Sequence, residues 1–242
     1  MDLSSPSLPE EVAKKGFMDL IPHIKRRGFL AGAATFIIPL AARASSLPAI
    51  PASREIHFKI FRNGTAIGEQ LMNFTQIGNR LIVDSTADMV VRIAGIPIFH
   101  YRAEVVEHWL DGNFHQLESH INHNGEKLIV AANPIPNGFA IESTKAGDYQ
   151  YTGSQKMMPL TYWNKAMLES MILNVETGHH YPATVNSPGW NWLETVEGGK
   201  ILAQRFDVTG HLHFSVWYDQ SGQWAGLEFH VDGHERFQKY AS

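Results

Sequence analysis

EIHFKIFRNGTAIGEQLMNFTQIGNRLIVDSTADMVV, residues 55–91, alternates apolar and polar side chains at a period of two. Ile56, Phe58 and Ile60 share one face of a first strand, with His57 and Lys59 on the other. Asn63-Gly64 follows where a two-residue hairpin turn is needed, since both residue types tolerate the positive φ such turns demand. Thr65–Gln76 reads as the returning strand and Ile77-Gly78-Asn79 as the next turn. In Arg80–Val91, Leu81, Val83, Ser85, Ala87, Met89 and Val91 fall on one face.

The same grammar continues outward. Ile98–Leu110 is closed by Asp111-Gly112-Asn113, Phe114–Asn122 leads to Asn124-Gly125, and Lys127–Ala132 leads to Pro134–Gly138. Strands return at Asn191–Val196, Ile201–Thr209, His211–Asp219, Gln223–Val231 and Glu235–Tyr240, with Glu197-Gly198-Gly199 as a turn. Strand-length runs separated by such turns predict a mainly all-β fold, an antiparallel meandering barrel or a strongly curved sheet. One passage departs from this pattern. PLTYWNKAMLESMILN, residues 159–174, places Leu160, Trp163, Met167 and Met171 at helical spacing behind Thr161 as an N-cap. It predicts one amphipathic helix around 161–174.

The N-terminus reads as an export signal. Lys25-Arg26-Arg27-Gly28-Phe29-Leu30 precedes an apolar run from Gly28 to Ala42, then Ala42-Arg43-Ala44. A basic segment, a short apolar segment and a small-x-small cleavage site stand in the order of a signal peptide. Paired arginines before Phe-Leu fit the twin-arginine pattern, and the run is shorter than the about 20 apolar residues a membrane span requires. The expected organisation is a signal at 1–44 cleaved after Ala44, a Pro/Ser linker at 45–54, and a single β domain over 55–242. The expected location is the periplasm or the outside of the cell, with no transmembrane span in the mature protein.

Composition narrows the chemistry. The chain has no cysteine, which excludes disulfides, thiol catalysis and a lipid-modified N-terminal cysteine. Without residues 1–44, 14 basic and 20 acidic residues remain, a net charge of −6. No basic patch survives to hold nucleic acid. Gly-x-Ser-x-Gly, His-Glu-x-x-His, P-loop and Gly-x-Gly-x-x-Gly motifs are all absent from the sequence.

Trp163-Asn164, Thr177-Gly178, Val208-Thr209-Gly210, Trp217-Tyr218-Asp219 and Gly226-Leu227-Glu228-Phe229 follow one another in a set order. With Arg62-Asn63-Gly64-x-x-Ile67-Gly68 and Trp109-x-Asp111-Gly112, they give the chain a likeness to an uncharacterised family of exported bacterial β proteins, a domain of unknown function. The resemblance spans most of residues 55–240. It implies an open or closed barrel wrapped around a helix, and it brings no activity and no catalytic residue.

Three functional readings follow. Phe99, Tyr101, Tyr162, Trp163, Trp190, Trp192, Trp217 and Trp224 are enough aromatic surface to line a barrel mouth. Tyr162-Trp163-Asn164, opening the expected helix, with Tyr101, are the candidate ligand-binding residues. The leading reading is thus a non-catalytic periplasmic protein that holds a small or lipid-like apolar ligand. A second reading rests on histidine, of which 12 of 13 lie beyond residue 44. If Tyr218 pairs with Gln223, His211 faces His230, His213 faces Glu228, and Trp217 faces Trp224 on one side of a hairpin. His211, His213, His230 and Glu228 could then surround a zinc-like divalent ion, in a metal-binding protein or a metal-dependent enzyme. The third is a cell-envelope protein-interaction module. Asp84, Asp88, Glu104 and Glu107 are candidates for acid–base work only if two converge; Glu104 is expected to pair with Arg102 at the surface.

Overall fold

The protein, described here by a computed structural model, is characterised over residues 50–230 and 234–239, and the expected signal at 1–44 lies outside the described residues. Eight strands run as an antiparallel meander: β1 (Glu55–Arg62), β2 (Thr65–Ile77), β3 (Arg80–Ile93), β4 (Ile96–Leu110), β5 (Asn113–His123), β6 (Glu126–Ile135), β7 (Gly138–Ser143) and β8 (Tyr149–Tyr151). Three short strands form a separate small sheet: β9 (Met157–Pro159), β10 (Met171–Leu173) and β11 (His180–Pro182). The meander then resumes as β12 (Thr184–Glu194), β13 (Lys200–Thr209), β14 (Phe214–Asp219), β15 (Trp224–His230) and β16 (His234–Lys239). The last strand pairs antiparallel with the first, Phe58 opposite Lys239, so the two meanders fuse into one 13-stranded sheet with β12 and β8 at its edges. The mainly all-β expectation holds.

The hairpins are set by local chemistry. Asn63-Gly64, Asp111-Gly112 and Asn124-Gly125 each place two successive residues at positive φ, 49° and 80°, 51° and 73°, 51° and 97°. That backbone matches the right-handed twist of the strands it joins. Ala94-Gly95 makes the same turn between β3 and β4, at 49° and 83°. The expected apolar faces are the buried ones: Ile56, Phe58 and Ile60 in β1, and Leu81, Val83, Ser85 and Met89 in β3.

Of the two forms expected, a barrel or a strongly curved sheet, the structure takes the second, since the sheet is not closed. One expectation is corrected: the amphipathic helix around 161–174 is absent. Residues 156–182 cross the sheet as three short strands joined by one 3-10 turn and, at 175–177, a tight turn; the 3-10 turn, Lys165–Glu169, is capped by Asn164, whose Oδ1 accepts from Ala166 N at 3.1 Å. Met171–Leu173 is β10, paired parallel to β9. The helical spacing misleads because Leu160, Trp163, Met167, Leu168, Ile172 and Leu173 are all buried, which surrounds the segment with apolar contact where a surface helix has one stripe. Its backbone donors find distant partners, Leu160 N on Leu173 O and Met171 N on Lys156 O.

This crossing segment shows how strongly the sheet curls. Tyr162 packs on Phe214 of β14 and Trp224 of β15, whereas the next residue, Trp163, packs on Phe74 of β2 and Trp109 of β4. In the strand order, β15 and β4 are five intervals apart, about 24 Å on a flat sheet. Adjacent residues reach both because the sheet wraps around them.

Candidate functional site

The inward face of β4 carries Tyr101, Ala103, Val105, Glu107 and Trp109 by simple alternation, which sets a carboxyl in an apolar surface. Glu107 is fully buried. Trp109 Nε1 donates to its Oε2 at 2.9 Å, Trp163 Nε1 donates to both oxygens at 3.1 and 3.2 Å, and the Thr161 side chain is hydrogen-bonded to it as well. Burial pushes the carboxyl from 4.5 up to about 7, against the lowering effect of those three partners. Having no contact with solvent, Glu107 can touch no substrate. It serves as the clasp that fixes Trp163, and with it the crossing segment, to the sheet.

The same segment builds a second cluster nearer the surface. The Asn174 side chain accepts from the backbone N–H groups of Glu176 at 2.8 Å and Thr177 at 3.1 Å, a tight local turn that aims Glu176 at β5. There Glu176 Oε1 meets His123 Nδ1 at 2.9 Å, with both side chains mostly buried, 7% and 13% exposed. Phe99 and Tyr101 pack edge-on against the His123 ring at 5.2 and 5.8 Å. Tyr101 in turn borders the small apolar cluster of Ala103, Ile121 and Leu128. Burial, and after it the Glu176 charge and then Tyr162, raises the Tyr101 phenol well above its ordinary range. The Tyr162 phenol is raised by burial and then by Glu176. Both phenols are therefore neutral donors beside an acidic group.

Tyr162 also stores strain. Its φ of 68° is a left-handed conformation that a bulky aromatic residue rarely adopts. The surroundings impose it: Tyr218 donates its hydroxyl to the Tyr162 carbonyl at 2.7 Å, and the ring lies between Phe214 and Trp224. Of the residues expected to bind a ligand, Tyr101 and Tyr162 share this cluster. Trp163 belongs to the Glu107 clasp and Asn164 to the cap of the 3-10 turn. His123 and Glu176 complete the cluster, and in the sequence only the short Asn-x-Glu turn hints at Glu176. Glu104 forms the expected exposed pair with Arg102, at 2.9 Å.

The expected histidine constellation depends on a register that the structure replaces. Ser215 faces Glu228 and Trp217 faces Gly226, so β15 is displaced by two residues from the pairing that sets His213 opposite Glu228. A bulge at Trp217/Tyr218 then turns Trp224 to the side of Tyr218, where it is fully buried. The loop causes this: Asp219 accepts through Oδ1 from Ser221 N, Ser221 Oγ and Gln223 N, which winds residues 220–223 into a longer turn. His211 and His213 precede β14 and are exposed, with His211 stacked on Tyr181 at 4.8 Å. The His230 side chain lies outside the described residues, and among the described residues no group of three or more His, Asp or Glu could hold a metal ion.

Among the described residues no helix is long and apolar enough to cross a membrane. No curated protein and no solved structure shows significant similarity to the chain. A family model does match it over residues 58–240, from the first strand of the sheet to the last, and the chain accordingly belongs to the family described as Domain of unknown function (DUF6134).

Proposed function

We propose that the protein is a non-catalytic binding protein of the cell envelope, which holds a small, largely apolar molecule with one polar end at the Tyr101–His123–Tyr162–Glu176 cluster. The observation that carries this reading is the His123–Glu176 pair at 2.9 Å, walled by the rings of Phe99 and Tyr101 and left partly open to solvent. Binding sites combine apolar walls with a few convergent polar groups, and here two neutral phenols, an imidazole and a carboxylate converge at one end of an apolar face. The middle of the concave face is filled by Trp163, Trp109 and Phe74. The ligand therefore sits at the seam between sheet and crossing segment, not in a barrel lumen. Export by the twin-arginine route is part of the proposal and rests on Arg26-Arg27 and the apolar run to Ala42.

The test is native mass spectrometry of protein purified from the periplasm, followed by titration with the fluorescent apolar probe N-phenyl-1-naphthylamine. An organic mass, or probe binding weakened at least about tenfold in Tyr101→Ala and His123→Ala, is the expected result. Bare protein that ignores the probe would refute the reading. Arg26→Lys with Arg27→Lys is expected to leave the protein in the cytoplasm, and unimpaired export of that variant would sink the assigned route.

A further inference from the structure

The turn that carries Glu176 uses all of its own backbone donors. Glu176 N and Thr177 N donate to Asn174 Oδ1, Gly178 N donates to Asn174 O at 2.8 Å, and His179 N donates to Thr177 Oγ1 at 3.4 Å. No amide is left there to hold an anion, as the converging N–H groups of an anion-binding loop would. The Glu176 carboxylate, by contrast, is only half satisfied. Oε1 accepts from His123 Nδ1, while among the described residues Oε2 takes no hydrogen bond, although the side chain is only 7% exposed. Among the described residues no Lys or Arg forms an ion pair with it either. Its other neighbours are rings. Tyr101 and Tyr162 lie close enough for the Glu176 charge to raise both phenols, and Phe99 packs on His123 beside them. Phe99, Tyr101, His123 and Tyr162 are all half-buried, so this aromatic rim is open to a ligand while the carboxylate lies at its floor.

We propose that the polar end of the ligand is a protonated amine, which donates to Glu176 Oε2 while its apolar body lies against Phe99, Tyr101 and Tyr162. This names the ligand class of the binding reading above and rests on that reading. A buried carboxylate with an empty acceptor is costly, and a donor from the ligand removes that cost. A charged N–H does so best, because a hydrogen bond between two ions is stronger than one between neutral groups. The rings favour the same head group, since the faces of Phe and Tyr attract cations. A carboxylate or phosphate head would meet the Glu176 charge at close range and find no free backbone donor to offset it. The wider field has the same sign: residues 45–242 carry 14 basic and 20 acidic side chains, which draws cations toward the chain. A neutral alcohol can give Oε2 its hydrogen bond but gains nothing from either the charge or the rings.

Three compounds with one chain length and different heads test this by competition. Octylamine, octanol and octanoate are each titrated against N-phenyl-1-naphthylamine bound to the protein at about pH 7, where the amine is protonated and the acid ionised. Octylamine should displace the probe at least about tenfold more effectively than octanol, and octanoate should be the weakest of the three. In Glu176→Gln the advantage of octylamine over octanol should vanish. The comparison on the parent protein needs no variant, so it stands even if that substitution impairs folding. Octanol or octanoate competing as well as octylamine, or an amine preference that survives in a folded Glu176→Gln protein, would overturn the proposal. The two readings fail differently. A parent protein that ignores the probe sinks the binding site itself, whereas a protein that binds the probe and shows no preference among the three heads sinks only the amine.

Discussion

Replacing Glu107 by Gln should abolish a pH dependence that runs opposite to that of most carboxylates. Glu107 holds its proton up to about pH 7 in the folded chain, against 4.5 for the ordinary carboxyl. The folded state therefore binds the proton more tightly than the unfolded state, and stability from this group falls as pH rises. The contribution is complete below about pH 4.5, declines through the interval up to about pH 7, and levels off above it. At about 1.4 kcal/mol per pH unit, the loss over that interval totals about 3 kcal/mol. Glutamine preserves the shape. Its carbonyl oxygen can accept from Trp109 and Trp163, and its amide can donate to the Thr161 hydroxyl. Urea unfolding followed by tryptophan fluorescence, from pH 4.5 to 8.5, would give the stability of each protein. The parent should lose about 3 kcal/mol relative to Glu107→Gln across that range. Because every other titrating group is common to the two proteins, the difference curve isolates this one. Parallel curves would show that Glu107 ionises in the fold as it does in water, and the account of its burial would fail.

Trp163→Ala should cost about 3–5 kcal/mol, because it empties the middle of the concave face and removes a donor from Glu107; denaturant unfolding that shows less than about 1 kcal/mol would contradict the clasp. Ser119, whose hydroxyl is buried without a hydrogen-bond partner, should tolerate alanine with stability unchanged or raised by about 1 kcal/mol, and a clear loss by calorimetry would reveal a missed partner. Gly68→Ala should destabilise by about 2 kcal/mol or more, since a methyl there overlaps the Asp88 carbonyl across the β2–β3 ladder. A thermal midpoint equal to the parent's would show that β2 can back away at no cost.

The strands and their turns were legible because their determinants are local. A period of two and an Asn-Gly or Asp-Gly pair act within a few residues, and β1–β6 follow them closely. Glu107 was legible as far as its face: alternation from Tyr101 to Trp109 places it inward, but nothing nearby names Trp163, 56 residues on, as its partner. The crossing segment defeated the reading for the same reason, since its apolar spacing records contacts with strands scattered over the whole sheet. The β14–β15 register failed at a single residue, Asp219, whose side chain reorganises the loop and adds a bulge. Glu176 and His123 meet across 53 residues through an Asn-anchored turn, a convergence that spacing along the chain does not encode.

The pairing of the first strand with the last has a consequence for how the protein is made. β16, residues 234–239, lies between β15 and β1 and bonds to both. Among the strands of this sheet it is the last in chain order, so it leaves the ribosome after the others. Until then β1, with Ile56, Phe58 and Ile60 on one face, and β15 each present an unpaired edge. A nascent chain can zip β1 through β8 early, but it holds two separate sheets until β16 arrives to stitch them. Loss of this one short strand, by truncation or frameshift, would expose both edges at once, a far greater hazard than its length suggests.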